Sequence, residues 1–80
     1  MSEASIAAQF AEALSAAAQA ANPAASLVTM EMSMVGAPRP GGMRTRIARQ
    51  TRTLVFVEAE FLDVNGARIA AASSVHKVPA

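Results

Sequence analysis

The sequence predicts an α+β domain in which one N-terminal helix packs on a four-stranded antiparallel sheet. Two patterns support this prediction. An alanine-rich segment with helical periodicity ends at Asn22-Pro23, and several segments with period-two alternation, separated by turn residues, follow from residue 26 onward. A length of 80 residues is enough for one small domain, so the whole range 1–80 is predicted to fold as a single unit.

The helix is predicted over residues 3–21. Alanine, the best helix former, dominates this segment, Ser2 suits the N-cap, and Pro23 cannot continue the hydrogen-bond ladder. At 100° per residue, one apolar stripe faces the sheet and consists of Ile6, Phe10, Leu14, Ala17 and Ala21. Glu12 falls on the other face, where alanine and short polar side chains would let a second subunit approach closely.

Four strands are predicted, at about 27–35, 43–50, 53–63 and 68–78. The first should carry one apolar face, which we interpret as core and which consists of Val28, Met30, Met32 and Met34. The segment 36–42 contains two prolines and three glycines and predicts a loop. Asn65-Gly66 predicts a two-residue type I′ hairpin between the last two strands.

The third strand points to subunit association. Its first half, Leu54-Val55-Phe56-Val57, is apolar on both faces, and the chain has no segment left for a second covering layer. Twenty of the 80 residues are alanine, which buries little apolar area. Cysteine is absent and the single His76 offers no metal site, so we predict that a second copy, as a homodimer or higher homo-oligomer, completes the core.

Charge and hydropathy exclude several classes of protein. A net charge of +1 argues against a nucleic-acid partner or a membrane surface, and no run of about 20 apolar residues predicts a membrane span. The N-terminal segment lacks the basic and leucine-rich regions of a secretory leader, so a cytoplasmic location is expected.

One part of the sequence is nevertheless strongly basic. Five arginines lie between positions 39 and 52, and no carboxylate occurs between Glu31 and Glu58. Two interpretations remain open: a solvated strand face whose arginines pair with neighbouring carboxylates, or a site for phosphate groups. A nucleic-acid patch is less favoured, because the chain has no tyrosine or tryptophan to stack on bases.

The amino-acid sequence of the strands and their connections resembles that of a known family. The run from Thr29-Met-Glu-Met-Ser-Met-Val, through Arg39-Pro-Gly-Gly and Arg49-Gln-Thr-Arg-Thr-Leu-Val-Phe-Val-Glu, to Asp63-Val-Asn-Gly-Ala-Arg is similar to the hot-dog acyl-CoA thioesterases of the phenylacetate-pathway type. The similarity covers about positions 26–78. It implies a sheet wrapped around a helix, association of such units, and an active site at the subunit interface.

The resemblance also implies roles for particular residues. The family hydrolyses thioesters of coenzyme A with a carboxylate on the central helix, and alignment with Phe10-Ala-Glu-Ala-Leu places Glu12 at that position. Arg49 and Arg52 would contact the phosphates of coenzyme A, and Arg39 is a weaker candidate. No metal or additional cofactor is implied.

This sequence departs from the family pattern at two places. The family has a His-Gly-Gly segment and a further strand before the helix, so the chain resembles a family member shortened at the N-terminus, and Thr51 stands where the family has a corner glycine. The alternative function is therefore a non-catalytic, degenerate hot-dog oligomerisation module, in which Glu12 is only a solvated helix carboxylate. His76 is expected to be a surface or rim residue of the last strand.

Overall fold

The computed structural model describes residues 2–79 and contains one helix followed by four strands. Their bounds are α1 (Glu3–Ala21), β1 (Ser26–Met34), β2 (Gly41–Gln50), β3 (Leu54–Asp63) and β4 (Arg68–Lys77). The strands form one antiparallel sheet in the order β1-β4-β3-β2, so β1 and β2 are its edges. The predicted fold class, one helix packed on a four-stranded antiparallel sheet, is confirmed.

Both ends of α1 follow from the local sequence. The Ser2 hydroxyl accepts a hydrogen bond from the Ser5 N–H at 3.1 Å, which satisfies a free donor of the first turn. At the other end, the Asn22 N–H donates to the Ala18 carbonyl at 2.9 Å, and Pro23 follows. The helix therefore begins and ends where the capping residues predict.

The buried stripe of α1 differs slightly from the predicted one. Its fully buried members, spaced by four residues, are Ile6, Phe10, Leu14 and Ala18. Ala17 is only half-buried and Ala21 is exposed, so the prediction was wrong for Ala21. The contact line follows the four-residue row of the helix, and the last turn extends past the core.

Strand β3 forms the centre of the core. Its alternate residues Val55, Val57, Ala59 and Phe61 face the helix and are at most 7% exposed. Leu54 and Phe56 point to the opposite, outer face and are half-buried. Burial of both faces of this strand, which the sequence predicted, is therefore complete only on the helix side within one chain.

Methionine forms the inner layer near both sheet edges. Met30, Met32 and Met34 of β1 and Met43 of β2 are partly buried and pack against the core cluster, which confirms the core interpretation of the methionine row. Val28 departs from that row because a register shift between Leu27 and Thr29 turns its side chain outward, where it is 59% exposed.

The hairpin between β3 and β4 is not the predicted type I′ turn. Gly66 has φ +84°, but no residue other than glycine has positive φ in the described chain, whereas type I′ requires it at both central positions. The Gly66 N–H donates to the Asp63 carbonyl at 3.0 Å, and the Asp63 N–H donates to Ala67 at 2.9 Å. The connection is therefore a three-residue loop with glycine in the left-handed position.

A close approach of two strands explains why β2 begins earlier than predicted. Gly41 pairs with Asp63, and a Cβ atom at Gly41 would overlap the backbone of Leu62. Glycine is therefore required at this position, and the strand includes Gly41-Gly42, which the sequence had assigned to the loop. Among residues 2–79, no helix is long and apolar enough to cross a membrane.

Candidate functional site

An open groove runs between the helix and edge strand β2, on the inner face of the sheet. It has a volume of about 350 Å³ and is lined by Gln9, Glu12, Ala13, Ala16 and Met43. Alanines on the helix side leave room above the sheet, and Met43 supplies an apolar wall. The groove therefore offers small apolar surfaces beside a carboxylate and an amide.

Glu12 and Gln9 are the two polar side chains of this groove. They lie three residues apart on α1, so their side chains share one side of the helix. Glu12 is exposed, as its position opposite the buried stripe predicted. The Gln9 amide reaches the carbonyl and hydroxyl oxygens of Ser5 only at 3.4 Å each, which are long hydrogen bonds. A base and an N–H donor are thus available at one place.

The comparisons with known proteins agree with this architecture. The chain is similar in structure to a protein from the thioesterase superfamily that was solved by X-ray crystallography, with a TM-score of 0.62 and 14% sequence identity. The chain has a hot-dog fold. The similarity covers 69% of this chain and 43% of the other protein, so this chain spans less than half of that protein's length. No family model and no curated protein sequence matches the chain.

Arg49 and Arg52 lie away from the groove. Arg49 pairs with Phe56 across the sheet, and its guanidinium carbon lies 5.9 Å from the centre of the Phe56 ring on the outer face. Arg52 is exposed in the short connection between β2 and β3. Arg49 lies six positions beyond Met43 along β2, a distance of roughly 20 Å. One chain therefore does not bring its own Glu12 together with these arginines.

Arg39 lies at the opposite end of β2 and contacts Asp63. Its guanidinium is 3.6 Å from the carboxylate of Asp63, whose side chain is 6% exposed. Asp63 accepts the N–H groups of Ala67 at 2.9 Å and Asn65 at 2.8 Å. The hydrogen bond from Ala67, assisted by the one from Asn65 and the charge of Arg39, lowers the pKa of Asp63 despite its burial. This carboxylate organises the β3–β4 turn.

The remaining arginines of the basic segment form ion pairs across strands on the outer face. Arg44 contacts Glu60 at 2.6 Å, and Arg46 contacts Glu58. Arg68 of β4 contacts the second oxygen of Glu60 at 2.8 Å. Hydrogen bonds from Arg44 and then Arg68 lower the pKa of Glu60. The first interpretation of the basic segment, pairing with neighbouring carboxylates, therefore holds for Arg44 and Arg46.

A buried Ser74–His76 pair lies at the far end of the inner face. Ser74 Oγ and His76 Nε2 are 2.7 Å apart, and the two residues are 3% and 0% exposed. His76 was expected at the surface or rim, and that expectation was wrong, because the inward residues of β4 alternate in step with Val55 and Val57 of β3. Burial lowers the pKa of His76, which favours the neutral ring.

The resemblance to the thioesterase family singled out Glu12 but not its neighbours in the groove. Gln9 was missed, although its three-residue spacing from Glu12 is the signal that places both on one side of a helix. The Ser74–His76 pair could have been found from the period-two alternation, which puts both on one strand face. Among residues 2–79, no group of three or more His, Cys, Asp or Glu side chains could hold a metal ion.

Proposed function

We propose that this protein hydrolyses, or at least binds, a small acyl-CoA thioester in the groove beside Glu12. One observation supports the proposal: the groove beside the helix is lined by a carboxylate, an amide three residues away and an apolar wall. A thioester carbonyl is already electrophilic, so a positioned base and one N–H donor are a reasonable minimal site.

The proposed chemistry is direct hydrolysis. The Glu12 carboxylate accepts a proton from water as the water oxygen attacks the thioester carbonyl carbon. The Gln9 amide donates a hydrogen bond to the oxygen on which negative charge develops. The carbon–sulfur bond then breaks, and the coenzyme A sulfur leaves as a thiolate that takes up the proton. An acyl chain lies against Met43 and the alanines of the helix.

A second copy of the chain is part of this proposal. Glu12 lies on the exposed face of α1, whose small side chains at Ala8, Ala16 and Ala20 allow another subunit to come close. Such a subunit would cover the open groove and exclude bulk water from it, while the attacking water molecule stays beside Glu12. It would also bring its own Arg49 and Arg52 to the coenzyme A phosphates, which these residues cannot do within one chain.

The catalytic part is tested with a panel of short-chain and aryl acyl-CoA substrates. Glu12→Gln should lower kcat/KM at least about tenfold, a loss of about 1.4 kcal/mol in transition-state stabilisation. Glu3→Gln is the matched control, because it removes a carboxylate from the first turn of the same helix, away from the groove. Equal rates for the two variants, or no turnover of any substrate, would refute the hydrolytic mechanism.

The shared site is tested by mixing two inactive variants. Glu12→Gln protein and Arg49→Gln/Arg52→Gln protein are unfolded together and refolded, so that mixed dimers form. If each site takes Glu12 from one copy and the arginines from the other, half of the dimers are mixed and each regains one of two sites. Activity should then return to about a quarter of the wild-type value. No recovery from verified mixed dimers would exclude a shared site.

The alternative, a non-catalytic oligomerisation module, is supported by the two free sheet edges and the half-buried outer residues Leu54 and Phe56. It predicts a stable oligomer with no measurable coenzyme A affinity. Native mass measurement together with a coenzyme A titration separates the two functions. Ala8→Arg, which places a large cation on the exposed helix face, should dissociate an assembly formed through α1.

A further inference from the structure

We propose that the β2 edge of the sheet binds an extended peptide segment whose side chains alternate between acidic and apolar. β2 has ten residues, Gly41–Gln50, and its only partner strand in the described chain is β3. Nearly all of its residues are exposed, and only Met43 is half-buried. An uncovered edge of this length presents a row of unpaired backbone groups to which another strand can add.

The inner side of this edge requires apolar side chains. Met43, Thr45 and Ile47 alternate on the face that carries the helix, as their pairing with Phe61, Ala59 and Val57 shows. Ile47 is 39% exposed even though its partner Val57 is buried. A strand added beside β2 would place every second side chain next to these residues, at the rim of the groove. Apolar residues there would cover Ile47 and complete the row.

The outer side of the edge requires acidic side chains. Arg44 and Arg46 lie on that face with side chains 70% and 73% exposed, and Arg49 follows on the same face. Arg44 and Arg46 already pair with carboxylates of β3, which lies on the side away from the open edge, so an added strand can supply a second carboxylate to each guanidinium group. Glutamates on an added strand would stand directly opposite Arg44 and Arg46, where opposite charges stabilise cross-strand pairs.

The same charges argue against a second copy of β2 as the occupant. In an antiparallel pair of identical strands centred on Thr45, Arg44 of each strand would face Arg46 of the other strand. Centring the pair on Arg46 would place two Arg46 side chains opposite each other. Like charges directly opposite are destabilising. In both of these registers the edge repels a second copy of itself, whereas an acidic strand complements it.

The pairing is tested with a fluorescently labelled peptide, Glu-Val-Glu-Val-Glu-Val-Glu, whose binding to the full chain is followed by anisotropy. Saturable binding with a Kd below about 1 mM is expected, and a peptide with lysine in place of glutamate should not bind. Arg44→Gln/Arg46→Gln should weaken binding at least about tenfold, or about 1.4 kcal/mol. Arg52→Gln, which removes the same charge outside β2, is the matched control and should change binding less than about twofold.

Backbone pairing is tested without altering the protein. In an extended peptide, alternate N–H groups point to opposite edges, so methylation of the three valine nitrogens blocks one edge and methylation of the glutamate nitrogens blocks the other. Strand addition predicts that only one of the two methylated peptides loses binding. Equal affinity of both, or no saturable binding of the parent peptide, would overturn the proposal. None of these measurements depends on Glu12 or on hydrolysis, so the edge and the proposed activity can fail separately.

Discussion

The buried His76 makes the stability of this domain sensitive to mildly acidic pH. Its side chain is 0% exposed, its sheet neighbours Val55 and Leu27 carry no charge, and Ser74 is its hydrogen-bond partner. The other ring nitrogen, Nδ1, has no hydrogen-bond partner in the structure. A proton on this ring would therefore be buried without a counter-charge, which is why burial lowers the pKa of His76.

The size and sign of the effect follow from proton linkage. The unfolded chain takes up a proton at His76 as the pH falls through about 6.5, whereas the folded chain resists it. The stabilising contribution is therefore complete above that pH and is lost below it. Between about pH 7.5 and pH 5.5 the loss is at most about 1.4 kcal/mol. With an unfolding entropy of about 2.1 cal/mol/K per residue, this equals a drop in Tm of about 8 °C.

The assay is thermal unfolding followed by circular dichroism at several pH values and protein concentrations. His76→Gln keeps a hydrogen-bonding group beside Ser74 but does not titrate, so its Tm should change little over this range. Ser74→Ala removes the partner and keeps the imidazole, so the pH dependence should persist. His76 is the chain's one histidine, which makes the comparison clean. Equal pH dependence in wild type and His76→Gln would refute the reasoning.

Three further predictions concern the sheet. Val55→Glu buries a charge opposite the helix and should lower the free energy of unfolding, measured by chemical denaturation, by on the order of 4 kcal/mol. Phe56→Glu lies on the outer face and should leave the monomer folded. Similar losses of stability in the two variants would contradict the assigned faces. Gly41→Ala should destabilise the β2–β3 pair and Gly42→Ala, with open space around it, should not. Asp63→Asn should flatten the loss of stability below about pH 4, where the lowered pKa of Asp63 makes the folded state resist protonation.

Periodicity was enough to predict the elements and most of the core. The alternation in β1 and β3 and the four-residue spacing of Ile6, Phe10 and Leu14 are strong because each repeats several times on one face. The prediction failed where a single residue changes the register. Val28 lies at a bulge and Ala21 lies beyond the end of the core, and neither position has a marker in its own sequence.

Turn chemistry was predicted only in part. Asn65-Gly66 located the hairpin, but the turn type depends on Asp63, whose carboxylate accepts two backbone N–H groups and favours a longer loop. The short connection after β2 depends on Thr51 in a similar way, because its hydroxyl accepts the Leu54 N–H at 3.1 Å. Local side-chain hydrogen bonds of this kind are not visible in a hydrophobic pattern.

The candidate site, like the turns, could be predicted from the sequence only in part. Glu12 could be placed on the exposed helix face from sequence because helical periodicity fixes its direction. The groove could not be predicted in this way, because it forms where α1 lies beside Met43, which follows Glu12 by 31 positions in the chain. The separation of Arg49 from Glu12 likewise depends on the sheet face that Arg49 occupies, which is decided by the pairing register rather than by distance along the chain. Arg52 lies beyond the end of β2, in the connection to β3.

The methionine layer has a chemical consequence of its own. Four of the five methionines of the chain flank the helix, at positions 30, 32, 34 and 43, and each is partly accessible from the sheet edges. Peroxide can reach such thioethers, and the sulfoxides that form are polar and bulkier, so oxidative damage would begin at these walls and spread inward. The methionine layer is therefore the part of the core that is most vulnerable to oxidants.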